Sequence, residues 1–244
     1  MDNPLQAIRI VLVNTHHSGN IGSAIRAMKT MGLSELALVN PRSFPDAEAT
    51  SLAAGAADLL DSVKVYDTLE NAIADRTQVF ATSARQVHSF TRPQLSAEQT
   101  AGWVKQNNKE KIAIVFGGER DGLTADQIAL CQQILYIPGN PDYSVLNVAA
   151  ALQIVCYELF KCFTVISSDE PTSTQKTRAT QQELNHFFQT TETLLSDRGY
   201  IRENQASDSI KKFRTLINRI QPTSEEVNLL RGMHKALTRI VKDD

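Results

Sequence analysis

The chain has 244 residues, of which 42% are hydrophobic and 21% charged, and a net charge of −2. These values are ordinary for a globular protein and permit one large domain or one domain with an extension. They exclude a chain that is basic throughout, but residues 171–244 carry 12 Lys/Arg and 9 Asp/Glu, whereas residues 1–170 carry 13 and 18. A basic tail on an acidic body indicates that a polyanion would be held partly by the tail. The equally open alternative is that these charges only form a solvated surface.

Three features bear on cellular location. The N-terminus "MDNPLQ" lacks the basic and apolar regions of a signal peptide. The apolar stretch Val145–Ile166 is interrupted by polar residues and therefore indicates a buried helix, not a membrane span. Cys131, Cys156 and Cys162 lack a metal-binding spacing and are typical of core residues in a reducing compartment. We therefore expect a cytoplasmic protein without a membrane segment or a bound metal.

In chain order, short apolar runs alternate with amphipathic stretches. The predicted strands are Ile8–Val13, Glu35–Val39, Ser62–Val65, Gln78–Thr82, Ile112–Phe116 and Ile134–Ile137. The predicted helices among them are Gly22–Met31, Ala47–Leu60, Leu69–Ala74, Ala97–Gln106 and Ala125–Leu130, followed by a longer one from Val145 to about Phe163. This alternation predicts an α/β fold with a mainly parallel sheet.

Beyond the last of these helices the pattern changes. The polar stretch Ser167–Thr177 is typical of a linker. Only helical patterns follow it, at Gln181–Ser196, Ser207–Arg219 and Ser224–Val241. We therefore expect a first domain at 1–165, a linker at 166–180 and a helical C-terminal extension at 181–244.

The segment "NTHHSGNIGSAIRAMKTMGL" (Asn14–Leu33) follows the first strand and opens a helix with Gly19 and Gly22. Such a turn can cradle phosphates, but the first glycine of the G-x-G-x-x-G pattern is missing, so the dinucleotide signal is weak. Arg26 lies off the apolar face of this helix. It is either a solvated surface residue or an arginine aimed at a phosphate or a reacting oxygen.

Three further loops follow predicted strands. They are "ATSAR" (Ala81–Arg85), "FGGERDGLT" (Phe116–Thr124) and "IPGNPDYSVLNVAAALQ" (Ile137–Gln153). The second is not a P-loop, and its three glycines require either positive φ or a close approach to the backbone. In the third, Ser144 is the predicted helix N-cap, and Asn147 is either a cap or a site residue. Since ligands of α/β sheets bind where strands end, the three loops together predict a binding site.

These segments resemble the SPOUT class of RNA methyltransferases, specifically its SpoU/TrmH-like, TrmJ-type branch. The family patterns F-G-x-E-x-x-G-L and N-P-x-Y-S-S-L-N-x-A match "VFGGERDGL" and "NPDYSVLNVA", and Asn20 and Arg26 stand in the first motif. The likeness extends to "GYIRENQ" (Gly199–Gln205) and the helix at Val227–Met233. It implies a SPOUT α/β fold with a deep trefoil knot, a homodimer, and S-adenosylmethionine-dependent 2′-O-methylation of tRNA ribose.

The same resemblance implies roles for individual residues. The implied methyl-donor residues are Thr82, Ser83, Ala84, Gly117, Ile137, Ser144, Val145 and Leu146. Arg26, Asn20 and Ser144 form the implied catalytic group. Arg26 either takes the proton of the 2′-hydroxyl or, because arginine keeps its proton in proteins, anchors the adjacent phosphate and stabilises developing alkoxide charge. Glu119 is expected to organise its own loop or that of a partner chain. We further expect the glycines of the first loop to let a ribose and phosphate reach Arg26.

Binding of tRNA is expected to involve the tail. The residues implied to bind RNA are Arg26, Arg198, Arg202, Lys211, Lys212 and Arg214. Contacts between such cations and phosphates would make binding sensitive to salt. Apolar residues of the same tail segment could also dock it on a partner subunit, which is compatible with RNA binding.

Two positions depart from the family pattern, and the histidines are ambiguous. Val145 replaces the second serine of Y-S-S-L-N, and Gly118 stands where relatives often carry arginine. His16 and His17 are either RNA contacts or surface residues. The target implied by the TrmJ-type branch is cytidine or uridine at position 32 of the anticodon loop. The alternatives are a ribosomal-RNA methyltransferase, a non-catalytic RNA-binding relative and a generic nucleotide-binding enzyme.

Overall fold

The computed structural model describes residues 4–84, 92–164, 177–200 and 206–239. Its strands are β1 (Ile8–Val13), β2 (Glu35–Val39), β3 (Lys64–Tyr66), β4 (Gln78–Ser83), β5 (Gln94–Ser96), β6 (Ile112–Phe116) and β7 (Gln133–Tyr136). Its α-helices are α1 (Ser18–Thr30), α2 (Ala47–Ala53), α3 (Leu69–Ile73), α4 (Ala97–Gln106), α5 (Ala125–Ala129), α6 (Val148–Thr164), α7 (Gln181–Asp197), α8 (Ala206–Ile220) and α9 (Ser224–Arg239). Two 3₁₀ helices, Pro4–Ala7 and Ala54–Ser62, complete the described elements.

The strands of the described ranges form one seven-stranded sheet in the order β3-β2-β1-β6-β4-β7-β5, and every neighbouring pair is parallel. This confirms the predicted α/β fold. The predicted strands are all present, and β5 is an additional edge strand too short and too polar to give an apolar run. Because β4 lies between β6 and β7, the loops that leave the carboxyl ends of these three strands emerge side by side.

Helices cover both faces of the sheet, as the buried parallel strands require. On one face α1, α4 and α6 pack over side chains such as Ile10 and Leu12, and on the other α3 packs over Val11 and Val13. Alternate residues of β1 therefore serve two separate cores. Cys131 and Cys156 are buried, and burial raises the pKa of each thiol to about 12, which confirms them as core residues.

The C-terminal helices pack together through their own apolar cluster, which includes Leu184, Phe187 and Val227. The extension also contacts the α/β part. The backbone N–H of Gln181 donates to the carbonyl of Arg76 (2.8 Å), and the Asn218 side chain donates to the carbonyl of Ala129 (2.9 Å). Thus α7 lies against the segment before β4, and α8 lies against the end of α5.

The first-loop glycines make room for a helix. A Cβ atom at Gly22 would lie 2.2 Å from the carbonyl oxygen of Ala49 in α2, and one at Gly19 would lie 2.8 Å from Cδ1 of Leu52. The expectation that these glycines open a path for a ribose and phosphate was therefore wrong. Instead they let α1 pack closely on α2, while Arg26 itself is exposed.

Substitution of Gly22 by alanine is expected to destabilise the protein by about 2–3 kcal/mol or more, because the clash is with backbone that cannot rotate away. The matched control is Gly102→Ala in α4, where nothing lies within 4 Å of the added Cβ. That change is expected to stabilise the helix by about 0.5–1 kcal/mol. Denaturant unfolding of both variants measures the difference, and equal stabilities would contradict the packing described.

Candidate functional site

A cavity of about 460 Å³ opens at the carboxyl edge of the sheet, within the usual size range of small-molecule pockets. It lies among the loops after β4, β6 and β7 and the start of α6. All eight residues implied to hold the methyl donor line it, namely Thr82, Ser83, Ala84, Gly117, Ile137, Ser144, Val145 and Leu146. The sheet order thus brings together loops that are up to 64 residues apart in sequence.

Part of the cavity wall escaped the sequence analysis. Its additional apolar members include Leu123, Ile128, Leu135 and Val148. Leu123 and Val148 lie within two of the loops already named but were not singled out there. Ile128 and Leu135 belong to α5 and β7, which also fill the core, so an apolar pattern could not separate wall from core. Thr82 lines the cavity, but its hydroxyl donates to the carbonyl of Val115 (2.9 Å) and thereby ties the end of β4 to β6.

The glycine loop after β6 closes on itself. Gly122 has φ of +66°, and its N–H donates to the carbonyl of Gly118 at 3.0 Å. A Cβ at Gly117 would lie 2.1 Å from the carbonyl carbon of Gly122. Both conformational requirements predicted for these glycines are therefore met, but the close approach at Gly117 is made by the loop's own backbone.

Glu119 joins this loop to the first one. Its carboxylate accepts hydrogen bonds from the backbone N–H groups of His16 (2.9 Å) and His17 (3.1 Å) and from the Asn20 side chain (2.8 Å). α1 begins at Ser18 without a side-chain cap of its own, so Glu119 places negative charge where a helix N-terminus needs it. Glu119 was expected to organise its own loop or that of a partner chain, and the structure adds that it holds the first loop of the same chain.

The pKa of Glu119 reflects these contacts. Partial burial acts to raise the pKa, but the hydrogen bonds from the His16 backbone and the Asn20 side chain outweigh it. The pKa of Glu119 therefore lies below its ordinary value, and the carboxylate is ionised at neutral pH.

Asn147 extends the connection to the third loop. Its side-chain oxygen accepts from the backbone N–H of Ala149 (2.9 Å), and its amide donates to the Asn20 side-chain oxygen (3.0 Å). Asn147 is thus the N-cap of α6, which begins at Val148, and the prediction that Ser144 caps this helix was wrong. A chain of side-chain hydrogen bonds from Glu119 through Asn20 to Asn147 connects the three motifs.

Replacing Asn147 by alanine is expected to lower the free energy of unfolding by about 1 kcal/mol, the usual cost of losing an N-cap. Asn147→Asp keeps the acceptor and should retain most of that stability. Ser144→Ala, which removes a hydroxyl that does not cap the helix, should change it by less than about 0.5 kcal/mol. Urea unfolding of the three variants tests this assignment, and a larger loss at Ser144 than at Asn147 would refute it.

The three residues of the implied catalytic group are placed differently. Ser144 lines the cavity. Asn20 does not line it, but its side chain donates a hydrogen bond to Glu119, which does. Arg26 is exposed on α1 and is not part of the cavity wall of its own chain. Within the part of the chain that the structure describes, its guanidinium has no hydrogen-bond or ion-pair partner. The role of each in methyl transfer stays a prediction.

The tail cations implied to bind RNA face acidic partners. The Nζ atoms of Lys211 and Lys212 lie 3.4 Å from an oxygen of Asp126 and 2.7 Å from one of Asp208. Arg214 lies 4.0 Å from Glu192 and stacks over the Phe188 ring. Arg198 is exposed, and Arg202 lies outside the described residues. Exposed ion pairs are weak, so these pairings do not prevent the cations from binding phosphate. The predicted phosphate contacts stay a prediction.

The described residues show neither a metal-binding cluster nor a membrane-spanning helix. No cluster of three or more His, Cys, Asp or Glu in those ranges has a metal-binding arrangement. None of the described helices combines the length and the apolar character needed to cross a membrane.

Two models of known protein families match this sequence. A family model described as the SpoU rRNA Methylase family matches residues 7–157, which include all three motifs and the cavity. The chain belongs to the SpoU rRNA methylase family. A second model, described as the tRNA methyltransferase TrmJ C-terminal domain, matches residues 182–244. Together the two models cover the α/β part and the helical extension of this SpoU family member.

Individual relatives match almost the whole chain. A protein of Cronobacter sakazakii named tRNA (cytidine/uridine-2′-O-)-methyltransferase TrmJ is 42% identical, over 94% of this chain and 95% of its own length. A Sodalis glossinidius protein with the same name is 41% identical, over 98% and 94%. Among solved structures, TrmJ from Z. mobilis ZM4 superposes with a TM-score of 0.83 at 33% identity, covering 94% of this chain and 98% of that one. The likeness therefore includes the extension as well as the sheet.

Proposed function

We propose that this SpoU family member transfers a methyl group from S-adenosylmethionine to the ribose 2′-oxygen of tRNA, at cytidine or uridine in position 32 of the anticodon loop. The observation that carries the proposal is the match to relatives named tRNA (cytidine/uridine-2′-O-)-methyltransferase TrmJ, which covers at least 94% of this chain and of each relative. The cavity at the carboxyl edge of the sheet, lined by the loops after β4, β6 and β7, is the proposed donor site. The nucleobase and the position come from the TrmJ-type resemblance.

The cavity wall suits the donor. Ile137 and Leu146 provide apolar surface for an adenine ring, and the turns around Gly117 provide backbone groups for its polar edge. When bound, S-adenosylmethionine supplies an electrophilic methyl group on a sulfonium.

Arg26 acts on the acceptor in this proposal. Its guanidinium stays protonated, so it is suited to hold a phosphate and to stabilise charge that develops on the 2′-oxygen as the hydroxyl loses its proton. Asn20, fixed between Glu119 and Asn147, keeps the first loop in register with the cavity. The chain's main contribution is therefore alignment of the acceptor oxygen and electrostatic stabilisation.

We also propose that the protein works as a homodimer in the cytoplasm, with the knotted backbone of its family. Large apolar side chains are exposed beside the cavity and along α6, namely Tyr143 (80%), Val145 (53%), Leu146 (43%), Tyr157 (50%) and Phe160 (38%). A second copy would cover such a surface. Because Arg26 lies outside its own cavity wall, a dimer in which it enters the partner's cavity would complete both sites.

The proposal is tested by measuring donor binding and methyl transfer with the purified protein. Calorimetric titration should show one S-adenosylmethionine site per chain, whereas no binding would favour a non-catalytic relative. Transfer of labelled methyl groups should then occur to bulk tRNA and not to ribosomal RNA. Exclusive labelling of ribosomal RNA would favour the alternative substrate that the first family model's description suggests.

A further inference from the structure

Two loops interlock beside the cavity. Asn14 follows β1 and Asn40 follows β2, both with positive φ (52° and 46°), and the Asn40 amide donates to the Asn14 side-chain oxygen at 3.2 Å. The backbone N–H of Arg42 also donates to the carbonyl of Thr15, at 3.0 Å. These bonds fix residues 40–42 against the first loop at the carboxyl edge of the sheet.

The Arg42 side chain is held in place by a histidine. Its guanidinium contacts Nε2 of His16, whose backbone N–H donates to Glu119 in the cavity wall. The neighbouring positive charge of Arg42, followed by partial burial and Arg120, keeps the pKa of His16 below its ordinary value. A neutral imidazole can accept a hydrogen bond from a guanidinium. Arg42 is therefore positioned, although it is exposed.

The positive charge at this mouth of the cavity lacks acidic partners. Neither Arg42 nor Arg120, which lines the cavity, has a carboxylate within 4.0 Å in the described ranges. Two of the acids nearby are engaged elsewhere: Glu119 accepts from the backbone at the start of α1, and Asp46 caps α2 and accepts from Ser18. The tail differs, since Lys211 and Lys212 each face an acid.

We propose that Arg42, positioned by His16, binds a phosphate of the tRNA backbone next to the target ribose. A guanidinium matches phosphate in a bidentate fashion, and the contact with His16 uses only one of its terminal nitrogens, leaving Nε and the other for a phosphate. The inference rests on the proposed tRNA methylation and adds an anchor in the α/β part, in addition to those predicted in the tail. Arg42 holds the substrate, and His16 is a positioning residue.

The test compares Arg42→Gln with Lys109→Gln, using binding of unmodified tRNA at several salt concentrations. Lys109 is exposed in the loop before β6, at the opposite edge of the parallel sheet. We expect Arg42→Gln to weaken tRNA binding about three- to tenfold and to reduce the salt slope by about 0.7–0.9, the value for one phosphate contact. KM for tRNA should rise by the same factor, with kcat and donor binding unchanged. Lys109→Gln should bind as wild type does.

His16 provides a second test through the same arginine. His16→Ala should weaken tRNA binding less than Arg42→Gln does, and adding His16→Ala to Arg42→Gln should cause no further loss, because His16 acts through Arg42. Equal affinities for Arg42→Gln and Lys109→Gln, or a fall in kcat without a change in affinity, would overturn the proposal. If instead the wild-type protein failed to methylate any tRNA, the proposed function would fail first.

Discussion

Replacing Arg26 by alanine is expected to lower the rate of tRNA methylation by about 10²–10³-fold, the usual cost of losing one preorganised group that stabilises developing oxyanion charge. The affinity for S-adenosylmethionine should stay close to that of wild type, because Arg26 is not part of its own cavity wall and is proposed to contact the acceptor and not the donor. Single-turnover methylation and calorimetric titration measure the two quantities separately. Stability should also be unchanged, since Arg26 is exposed.

The control for this experiment is Lys29→Ala. Lys29 is an exposed cation one turn further along α1, and its Nζ lies 2.6 Å from an oxygen of Asp58. Its loss should leave methylation close to wild type. Near-normal turnover of Arg26→Ala would remove the arginine from the mechanism, and an equal loss in both variants would show only that the charge of α1 matters.

Replacing Glu119 by alanine is expected to disturb both the fold and the reaction. The change leaves the backbone N–H groups of His16 and His17 and the amide of Asn20 without their carboxylate, at a cost of about 1–3 kcal/mol in stability. Because the first loop would then shift against the cavity, we expect methylation to fall about 10²-fold. Thermal unfolding and single-turnover kinetics provide the two readouts.

The pH dependence of stability tests whether the ionised carboxylate of Glu119 is what stabilises the first loop. Since the pKa of folded Glu119 is lowered, its stabilising effect is complete above the ordinary glutamate value of about 4.3 and is lost as pH falls from there through the lower folded-state pKa. Wild type should therefore exceed Glu119→Gln in stability at pH 7, and the difference should shrink on acidification below pH of about 4.3. A difference that stays constant across this range would contradict the role assigned to the charge.

Much of the sheet could be predicted because its strands are buried on both faces. Ile8–Val13, Glu35–Val39 and Ile112–Phe116 are short apolar runs separated by helical periodicity, and the structure has strands with those bounds. β5 could not be found in this way, since Gln94–Ser96 is a short, half-exposed edge strand. The start of α6 was set too early because the apolar residues 145 and 146 continue the helical pattern before the cap at Asn147.

Eight residues that line the cavity could be predicted from motif resemblance, but the hydrogen bonds that connect the motifs could not. Glu119 and Asn20 are 99 residues apart, and only the folded chain brings them to 2.8 Å. The space around Gly22 was misassigned for a similar reason. A glycine in a helix shows that something approaches closely, but sequence does not tell whether it is a substrate or, as here, the backbone of α2.

The contact between Arg42 and His16 carried no signal in the sequence. Arg42 stands in a turn-rich loop with no periodicity, and His16 could be placed only as either an RNA contact or a surface residue. Their proximity depends on two left-handed asparagines that interlock the loops after β1 and β2. Long-range juxtapositions of this kind are what the structure adds to the sequence.

The most direct measurement is nucleoside mass spectrometry of tRNA before and after incubation with the purified protein and S-adenosylmethionine. Position-resolved analysis should show 2′-O-methylcytidine and 2′-O-methyluridine at position 32, formed by wild type and by Lys29→Ala but not by Arg26→Ala. Absence of any ribose-methylated nucleoside with wild type and saturating donor, or methylation of a base instead of the 2′-oxygen, would contradict the proposed function.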